Sequence, residues 1–301
     1  MQVIIRILLA IIAALISANG DAVLINDTLR DHSASSLVAN SNRDEIIEMI
    51  LSVSGIRESL QKLEEQMVPK VNQISGGSRE EKETQGQMQK IYADAFPQNG
   101  FVYHVRNAMI RNYDERRYAH LLELMSKPLS KRMVEIESAE PASEEFQKFI
   151  SQIATQSLSS DRIRLIQELD TATHNSALLI SMTIASIESN AIIMADDCNV
   201  DVKRIKKKIA NNRTEFEKAN RSTVQVMLAF TYRKVSDADL DKYISYYNDK
   251  DSMWLQDFVQ KTVEVQFKSD IENATPRLKR LIQSRKPKKT MFAPKCSNND
   301  L

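Results

Sequence analysis

Apolar residues recur every three or four positions through most of the chain, which is the spacing of one face of an α-helix. The clearest stretch runs from Asp44 to Met67, and Gly55 interrupts it, which predicts a kink or a break in the helix. Glycine and proline are scarce, at 6 and 7 residues in 301, whereas sheets with tight turns need more of both. No convincing series of strands is visible in the sequence, so the pattern predicts an all-α protein.

A helical hairpin is predicted in the first half, over residues 101–112 and 114–126. Asp114 is a suitable N-cap because its carboxylate can accept the free N–H groups of the first turn. Lys127-Pro128 then ends this helix and begins another, since proline fits the first turn of a helix but not its interior.

A second hairpin is predicted over residues 221–233 and 237–248, with Ser236 as its cap. A long helix that begins at Ser160 or Asp161 and runs to about Met194 is expected before it. A closing helix is expected after it, over residues 252–269.

The two hairpins share a degenerate phrase. Residues 113–125 read YDERRYAHLLELM, and residues 235–247, about 122 positions later, read VSDADLDKYISYY. At that offset Leu121 aligns with Tyr243, and the other apolar positions of the two helices align in the same way. The repetition predicts two tandem, diverged helical modules packed around the long central helix, because stacked repeats bury apolar surface that one repeat cannot bury alone.

These elements divide the chain into five segments. A signal peptide is predicted at the start, where the ten-residue apolar run Ile7–Ile16 is followed by the small residues Ala18-Asn19-Gly20. A spanning helix needs about 20 apolar residues, so export to the periplasm or secretion is favoured over a membrane anchor. The segments are the signal peptide (1–20), a flexible lead-in (21–42), helical module 1 (43–140), helical module 2 (141–272) and a basic, partly disordered C-terminal tail (273–301).

A second apolar stretch, Ala177–Met194, has two interpretations. As a membrane span it would place Glu188 in hydrocarbon, at a cost of about 3 kcal/mol or more. A core helix with neighbours on most sides is favoured, so no transmembrane span is expected in the mature chain. Within such a helix, Glu188 is either neutralised by a core partner or, less readily, a catalytic carboxylate.

The chain has two cysteines, Cys198 and Cys296. In an oxidising compartment an even pair can form a disulfide. The bridge would close a loop of about 98 residues and contribute about 4–5 kcal/mol in the chain-entropy model. The alternative is two free thiols. A metal site is not predicted there, because the thiolate and the neighbouring carboxylates suit different metals.

Charged residues make up 27% of the chain and nearly cancel, at a net charge of +1, so no overall field attracts nucleic acid. Basic residues are concentrated near the C-terminus, where they could contact an anionic lipid surface or an acidic partner. The alternative is a solvated end of the chain. These residues are Arg277, Lys279, Arg280, Arg285, Lys286, Lys288 and Lys289.

The sequence contains no recognisable catalytic motif. None of His32, His104, His120 and His174 stands in a Glu-x-x-His or His-Glu-x-x-His pattern. A nucleophile elbow and a Gly-rich phosphate loop are also missing from the sequence. No catalytic, cofactor-binding or metal-binding residue is therefore predicted, and enzymatic activity is left open, with the balance against it.

Parts of both predicted modules are similar to a known family. Residues 47–56 and the segment 233–265 resemble the exported bacterial family catalogued as domain of unknown function 2059. The Ser-Pro-x-Gly that usually follows the phrase is replaced by residues 248–251 (NDKD). The resemblance implies a small helical periplasmic protein from a bacterium, and it transfers no catalytic residue. The matching residues are Ser236, Asp237, Asp239, Leu240, Tyr246, Tyr247 and Asn248.

Three functions remain open from the sequence. The first is a non-catalytic envelope or periplasmic protein that binds a partner protein or supports assembly. The second is a carrier of an apolar ligand or lipid, since methionine suits an adaptable cavity. The third is a carboxylate-using hydrolase of envelope polymers. The candidate lining of the carrier cavity is Met182, Ile184, Ile187, Met194, Met227 and Met253.

Overall fold

The computed structural model describes residues 42–67, 79–139, 143–194 and 201–284. Only α-helices, and no strands, are assigned in these ranges, which confirms the all-α prediction. In chain order the helices are α1 Arg43–Val53, α2 Ile56–Met67, α3 Arg79–Ala95, α4 Gly100–Arg111, α5 Glu115–Met125, α6 Pro128–Ser138, α7 Ser143–Thr155, α8 Ser160–Thr173, α9 Asn175–Met194, α10 Val202–Asn211, α11 Arg213–Thr231, α12 Asp237–Tyr247 and α13 Lys250–Ser284.

The break predicted at Gly55 is confirmed. The residue has a φ of 67°, in the left-handed region that glycine adopts without steric cost, and it separates α1 from α2. The start of α1 is fixed by a reciprocal pair of hydrogen bonds, in which Asn42 and Glu45 each accept the other's backbone N–H.

The prediction of a single long helix over 160–194 is wrong, because this segment forms two separate helices, α8 and α9. His174 lies between them with a φ of 54°, and its Nε2 is 2.8 Å from Oδ1 of Asp257 on α13. Asp170 accepts the backbone N–H of Ser176 at 2.9 Å and its hydroxyl at 2.6 Å. The start of α9 is therefore capped by a buried carboxylate that belongs to the preceding helix.

The closing helix is much longer than the predicted range of 252–269. Helix α13 has 35 residues, passes through Pro276 and ends at Ser284. Ala274, Leu278 and Leu281 of its last third are buried in the core. The boundary predicted at residue 273 thus falls inside a packed helix.

The first helix of each half makes a similar set of contacts. Helix α1 packs against α2, α4 and α5, and α8 packs in the same order against α9, α11 and α12. Helix α2 also contacts α4, as α9 contacts α11. The last helix of each half crosses to the other half, so that α6 packs on α12 and α13 packs on α5.

The helix ends agree with the sequence offset between the halves. Helices α5 and α12 both have 11 residues and begin after the predicted caps Asp114 and Ser236, each of which accepts a backbone N–H of the first turn. The next helices begin at Pro128 and Lys250, which are separated by the same offset. Two corners, α5–α6 and α12–α13, therefore occupy corresponding places.

Helix α9 is long and apolar enough to span a membrane by length and composition, over Asn175–Ile193. It packs against α8, α10, α11 and α13, and 44% of that stretch is buried within the fold. Glu188 on this helix pairs with Lys206 of α10 at 3.1 Å. Glu188 is only partly buried and its partner Lys206 is exposed, so the ion pair lies at the surface and not in the core.

Candidate functional site

The open groove where the α5–α6 corner meets α12 has a volume of about 660 Å³. It carries three positive side chains and one carboxylate, so its net charge is positive. We call it the basic groove. Its lining residues are Lys127, Pro128, Leu129, Arg132, Asp239, Lys242 and Tyr246.

The charges of the basic groove are arranged around Arg132. Its Nη2 donates to Oδ2 of Asp239 at 2.7 Å, and this hydrogen bond holds the pKa of Asp239 below its ordinary value. The Nζ of Lys127 lies 4.9 Å from the ring centroid of Tyr246, a cation–π distance. Lys242 is exposed.

Helix α6 adds to the positive potential of the groove. It begins at Pro128, and the side chain of Lys127, at the N-cap position, makes no capping hydrogen bond. The partial positive charge of a helix N-terminus is therefore not balanced by an N-cap side chain at this corner. Lysine at this position instead adds a full positive charge.

The corresponding place at the α12–α13 corner, where it meets α5, has the opposite character. We call the cluster of Arg117, His120, Asp249, Asp251 and Trp254 the acidic corner. The Nε2 of His120 lies 3.4 Å from Oδ2 of Asp249, and its Nδ1 lies 3.7 Å from Oδ2 of Asp251. The Nε of Arg117 donates to Oδ1 of Asp251 at 3.3 Å, and its guanidinium carbon lies 4.3 Å from the Trp254 ring centroid.

The two places match residue by residue at the sequence offset, but their charges differ. Lysines and an arginine face one carboxylate in the basic groove, whereas two carboxylates face an arginine and a histidine in the acidic corner. The matching pairs are Lys127 and Asp249, Leu129 and Asp251, Arg132 and Trp254, Asp239 and Arg117, Lys242 and His120, and Tyr246 and Leu124.

A buried polar cluster lies behind these corners. Glu137 is 4% exposed and accepts hydrogen bonds from the hydroxyls of Tyr232 and Tyr243, the latter at 2.9 Å. The hydroxyls of Tyr243 and Tyr247 are 3.0 Å apart. Burial, and then the charge of Glu137, raise the pKa of Tyr243. The cluster joins α6 to α11 and α12.

A narrow cleft beside this cluster has a volume of only about 40 Å³. Pockets that hold small ligands usually measure about 300–1,000 Å³. The cleft in this conformation is therefore too small for an apolar ligand of lipid size. It is lined by Val53, Ser54, Ile56, Leu124, Met125, Ser130, Val134, Tyr243, Tyr246, Tyr247, Ser252 and Gln256.

Two further carboxylates are buried near the start of α4. Glu64 is 4% exposed and accepts the backbone N–H of Phe101, while its Oε2 has no hydrogen-bond partner. Asp270 is 8% exposed and accepts from Gln266 at 2.7 Å. Burial raises the pKa of Glu64 to about 7 and that of Asp270 to about 6. Their low exposure leaves them poorly placed for reaction with an envelope polymer.

The apolar residues proposed from the sequence as a carrier lining differ in exposure and lie outside both pockets described above. Met182 and Met227 are buried in the core, whereas Met253 is 50% exposed on α13. Ile184 and Ile187 are partly buried. None of these five residues lines the basic groove or the narrow cleft. The side chain of Met194 lies outside the described residues.

The proposed cysteine pair and most of the basic tail cannot be placed. Cys198 and Cys296 lie outside the described residues, as do Arg285, Lys286, Lys288 and Lys289. The other three basic residues lie near the end of α13. Arg277 pairs with Asp94 of α3 at 2.6 Å, Lys279 is partly buried and Arg280 is exposed.

The residues of the two corners were not identified from the sequence as sites. Lys127-Pro128 was noted only as a helix start, and His120 only as a histidine outside known motifs. The offset between the hairpins relates the residues of one corner to those of the other, but it gives no signal that α6 meets α12 or that α13 meets α5. Comparison with protein-family models, with curated proteins and with solved structures finds no match to this chain.

Proposed function

We propose that the protein is an exported, non-catalytic binding protein whose basic groove takes an acidic segment of a partner protein. The observation that carries the proposal is the open groove of about 660 Å³ in which Lys127, Arg132 and Lys242 face a single carboxylate, that of Asp239. Such an excess of positive charge favours a negatively charged ligand and accelerates its approach.

The chemistry of the lining suits a carboxylate-bearing chain. The guanidinium of Arg132 can form two parallel hydrogen bonds with a carboxylate, and the two lysines act as movable point charges. Leu129 and the ring of Tyr246 provide apolar contact area between the charges. An extended peptide with spaced acidic side chains satisfies both features.

The groove would have arisen after duplication of a helical unit. The similar contacts of α1 and α8 and the shared helix starts support two diverged copies of a six-helix unit, α1–α6 and α8–α13, in which the last helix of each unit packs on the other unit. The duplicated corners would then have specialised, since one became basic and the other acidic. The predicted signal peptide, which lies outside the described residues, supports export.

Binding of a labelled acidic peptide tests this function. The probes are fluorescein-labelled hexaglutamate and, as a control, hexalysine, measured by fluorescence anisotropy at low salt and at 150 mM salt. We expect hexaglutamate alone to bind, with affinity that falls as salt screens the charges, about 8 Å being the screening length at physiological salt. Arg132→Gln and Lys242→Gln should each weaken binding by about threefold to tenfold.

Two further variants separate a specific groove from general attraction. Asp239→Asn removes the carboxylate that competes for Arg132, so it should tighten hexaglutamate binding. Lys261→Gln removes an exposed charge on α13 outside the groove and should leave the affinity unchanged. Equal weakening by Lys261→Gln and Lys242→Gln, or no effect of Asp239→Asn, would contradict the proposal.

A further inference from the structure

The acidic corner has the features of a metal site, because each of its carboxylates is anchored through one oxygen and presents the other. Oδ1 of Asp249 accepts the backbone N–H groups of Asp251 at 2.9 Å and Ser252 at 3.4 Å, at the start of α13. Oδ1 of Asp251 accepts from Arg117. The Oδ2 atoms of both residues are left facing the ring of His120.

One of the distances among these atoms matches the spacing of two ligand atoms around a small divalent cation. Two ligand atoms that are each about 2.1 Å from a tetrahedral metal lie about 3.4 Å apart. The distance between Nε2 of His120 and Oδ2 of Asp249 is 3.4 Å, which is longer than a usual hydrogen bond. One ligand atom from each of His120, Asp249 and Asp251 lies within 4.8 Å of the other two.

We propose that His120, Asp249 and Asp251 form a binding site for a divalent cation of the zinc type. A nitrogen and two carboxylate oxygens form a ligand set that zinc accepts, with a fourth position left for water. With a neutral imidazole, the two carboxylates and Arg117 give the site a net negative charge. The side chain of His120 is 44% exposed, so the cation can enter from solvent.

The cation would connect the two halves of the molecule. His120 belongs to α5 in the first half, whereas both carboxylates belong to the α12–α13 corner in the second half. Bound metal would replace a contact between a ring and two acids with coordinate bonds. Because it binds only the folded arrangement of these three residues, it should stabilise the fold.

Isothermal titration calorimetry with zinc chloride tests the site. The parent for this experiment is the mature chain with Cys198→Ser and Cys296→Ser, because thiols would bind zinc independently. We expect one zinc ion per chain, and a loss of affinity of at least about tenfold in His120→Ala and in Asp251→Asn. His104→Ala removes another histidine, on α4, and serves as the matched control that should leave binding unchanged.

A second measurement covers the case in which a variant folds poorly. Zinc at a concentration 100 times its dissociation constant should raise the unfolding free energy by about 2.7 kcal/mol in the parent. It should raise that of His120→Ala by much less. Undiminished zinc binding in His120→Ala, or equal stabilisation of both proteins, would overturn the site. The absence of a binding heat together with the absence of any stabilisation would do the same.

Discussion

At the scale of single residues, Glu64 and Asp270 have the clearest consequence for the stability of the protein. Their ordinary pKa values are 4.5 and 3.8, and burial raises them to about 7 and about 6. The folded state therefore holds protons more tightly than the unfolded state between these values. The stability associated with the protonated carboxyls is fully present below about pH 4 and is lost as the pH rises through about 6 to 7.

We expect Glu64→Gln to remove part of this dependence on pH. A neutral amide keeps an acceptor for the Phe101 N–H but carries no charge to desolvate. At pH 8 the variant should match or exceed the parent in unfolding free energy, by up to about 2–3 kcal/mol, while the two differ little at pH 5. Urea unfolding at the two pH values measures the unfolding free energies. The prediction would be contradicted if the variant lost as much unfolding free energy between pH 5 and pH 8 as the parent loses.

Gly55 and Gly86 form a matched pair for a test of backbone conformation. Gly55 has a φ of 67°, so Gly55→Ala should cost about 1–2 kcal/mol. Gly86 lies within α3, and a Cβ added there meets no atom within 4 Å. Gly86→Ala should therefore stabilise the protein by about 0.5–1 kcal/mol. Thermal unfolding should show a lower unfolding temperature for Gly55→Ala and a higher one for Gly86→Ala. A shift of both temperatures in the same direction would contradict the assignment of the break.

At the scale of helices, Arg162 determines how α8 is attached to the turn between α11 and α12. This buried guanidinium donates to the carbonyls of Tyr232 and Val235, and to Oδ1 of Asp237 at 2.7 Å. Arg162→Lys should cost about 2–4 kcal/mol, because a single ammonium group cannot reach the two carbonyls and the carboxylate together as the planar guanidinium does, so buried hydrogen bonds to a charged donor are lost. Chemical denaturation measures the loss. Arg164→Lys, an exposed change on the same helix, should stay within about 0.5 kcal/mol, and an equal effect of both changes would contradict the proposed attachment.

The sequence predicted those helix ends that depend on local hydrogen bonds. Asp114 and Ser236 cap helices through N–H groups three residues away, so residue type and spacing were sufficient. The break at His174 was missed because its cap, Asp170, acts across the turn and no glycine marks the position. The tail predicted from residue 273 is wrong up to Ser284, because α13 packs against its neighbours and continues through Pro276.

The two corners were missed for a different reason. The charges of the basic groove come from α6 and α12, which are far apart in sequence, and only the crossing of the last helix of each half brings them together. The sequence offset relates the residues of one corner to those of the other. It does not indicate that α6 lies beside α12, or α13 beside α5. Local patterns therefore predicted the helices, whereas the candidate sites depend on how the halves exchange their last helices.

At the scale of the whole molecule, α13 connects the halves along its entire length. It packs against α9 and α8 of its own half, and against α3, α4 and α5 of the other. In its last third, Leu278 and Leu281 are buried, and the hydroxyl of Thr275 lies 2.6 Å from that of Ser189 on α9. A chain that ends at residue 272 lacks all the contacts made by this last third of the helix.

Truncation distinguishes the two boundaries. A chain ending at residue 272 should lose at least about 4 kcal/mol relative to a chain ending at residue 284, because two buried leucines alone contribute about 2 kcal/mol or more each. Both chains lack Cys296, so their cysteine content is the same. Urea unfolding followed by circular dichroism compares them. Equal midpoints would mean that the last third of α13 adds nothing to the fold, whereas the expected loss would make this segment part of the core that joins the two halves.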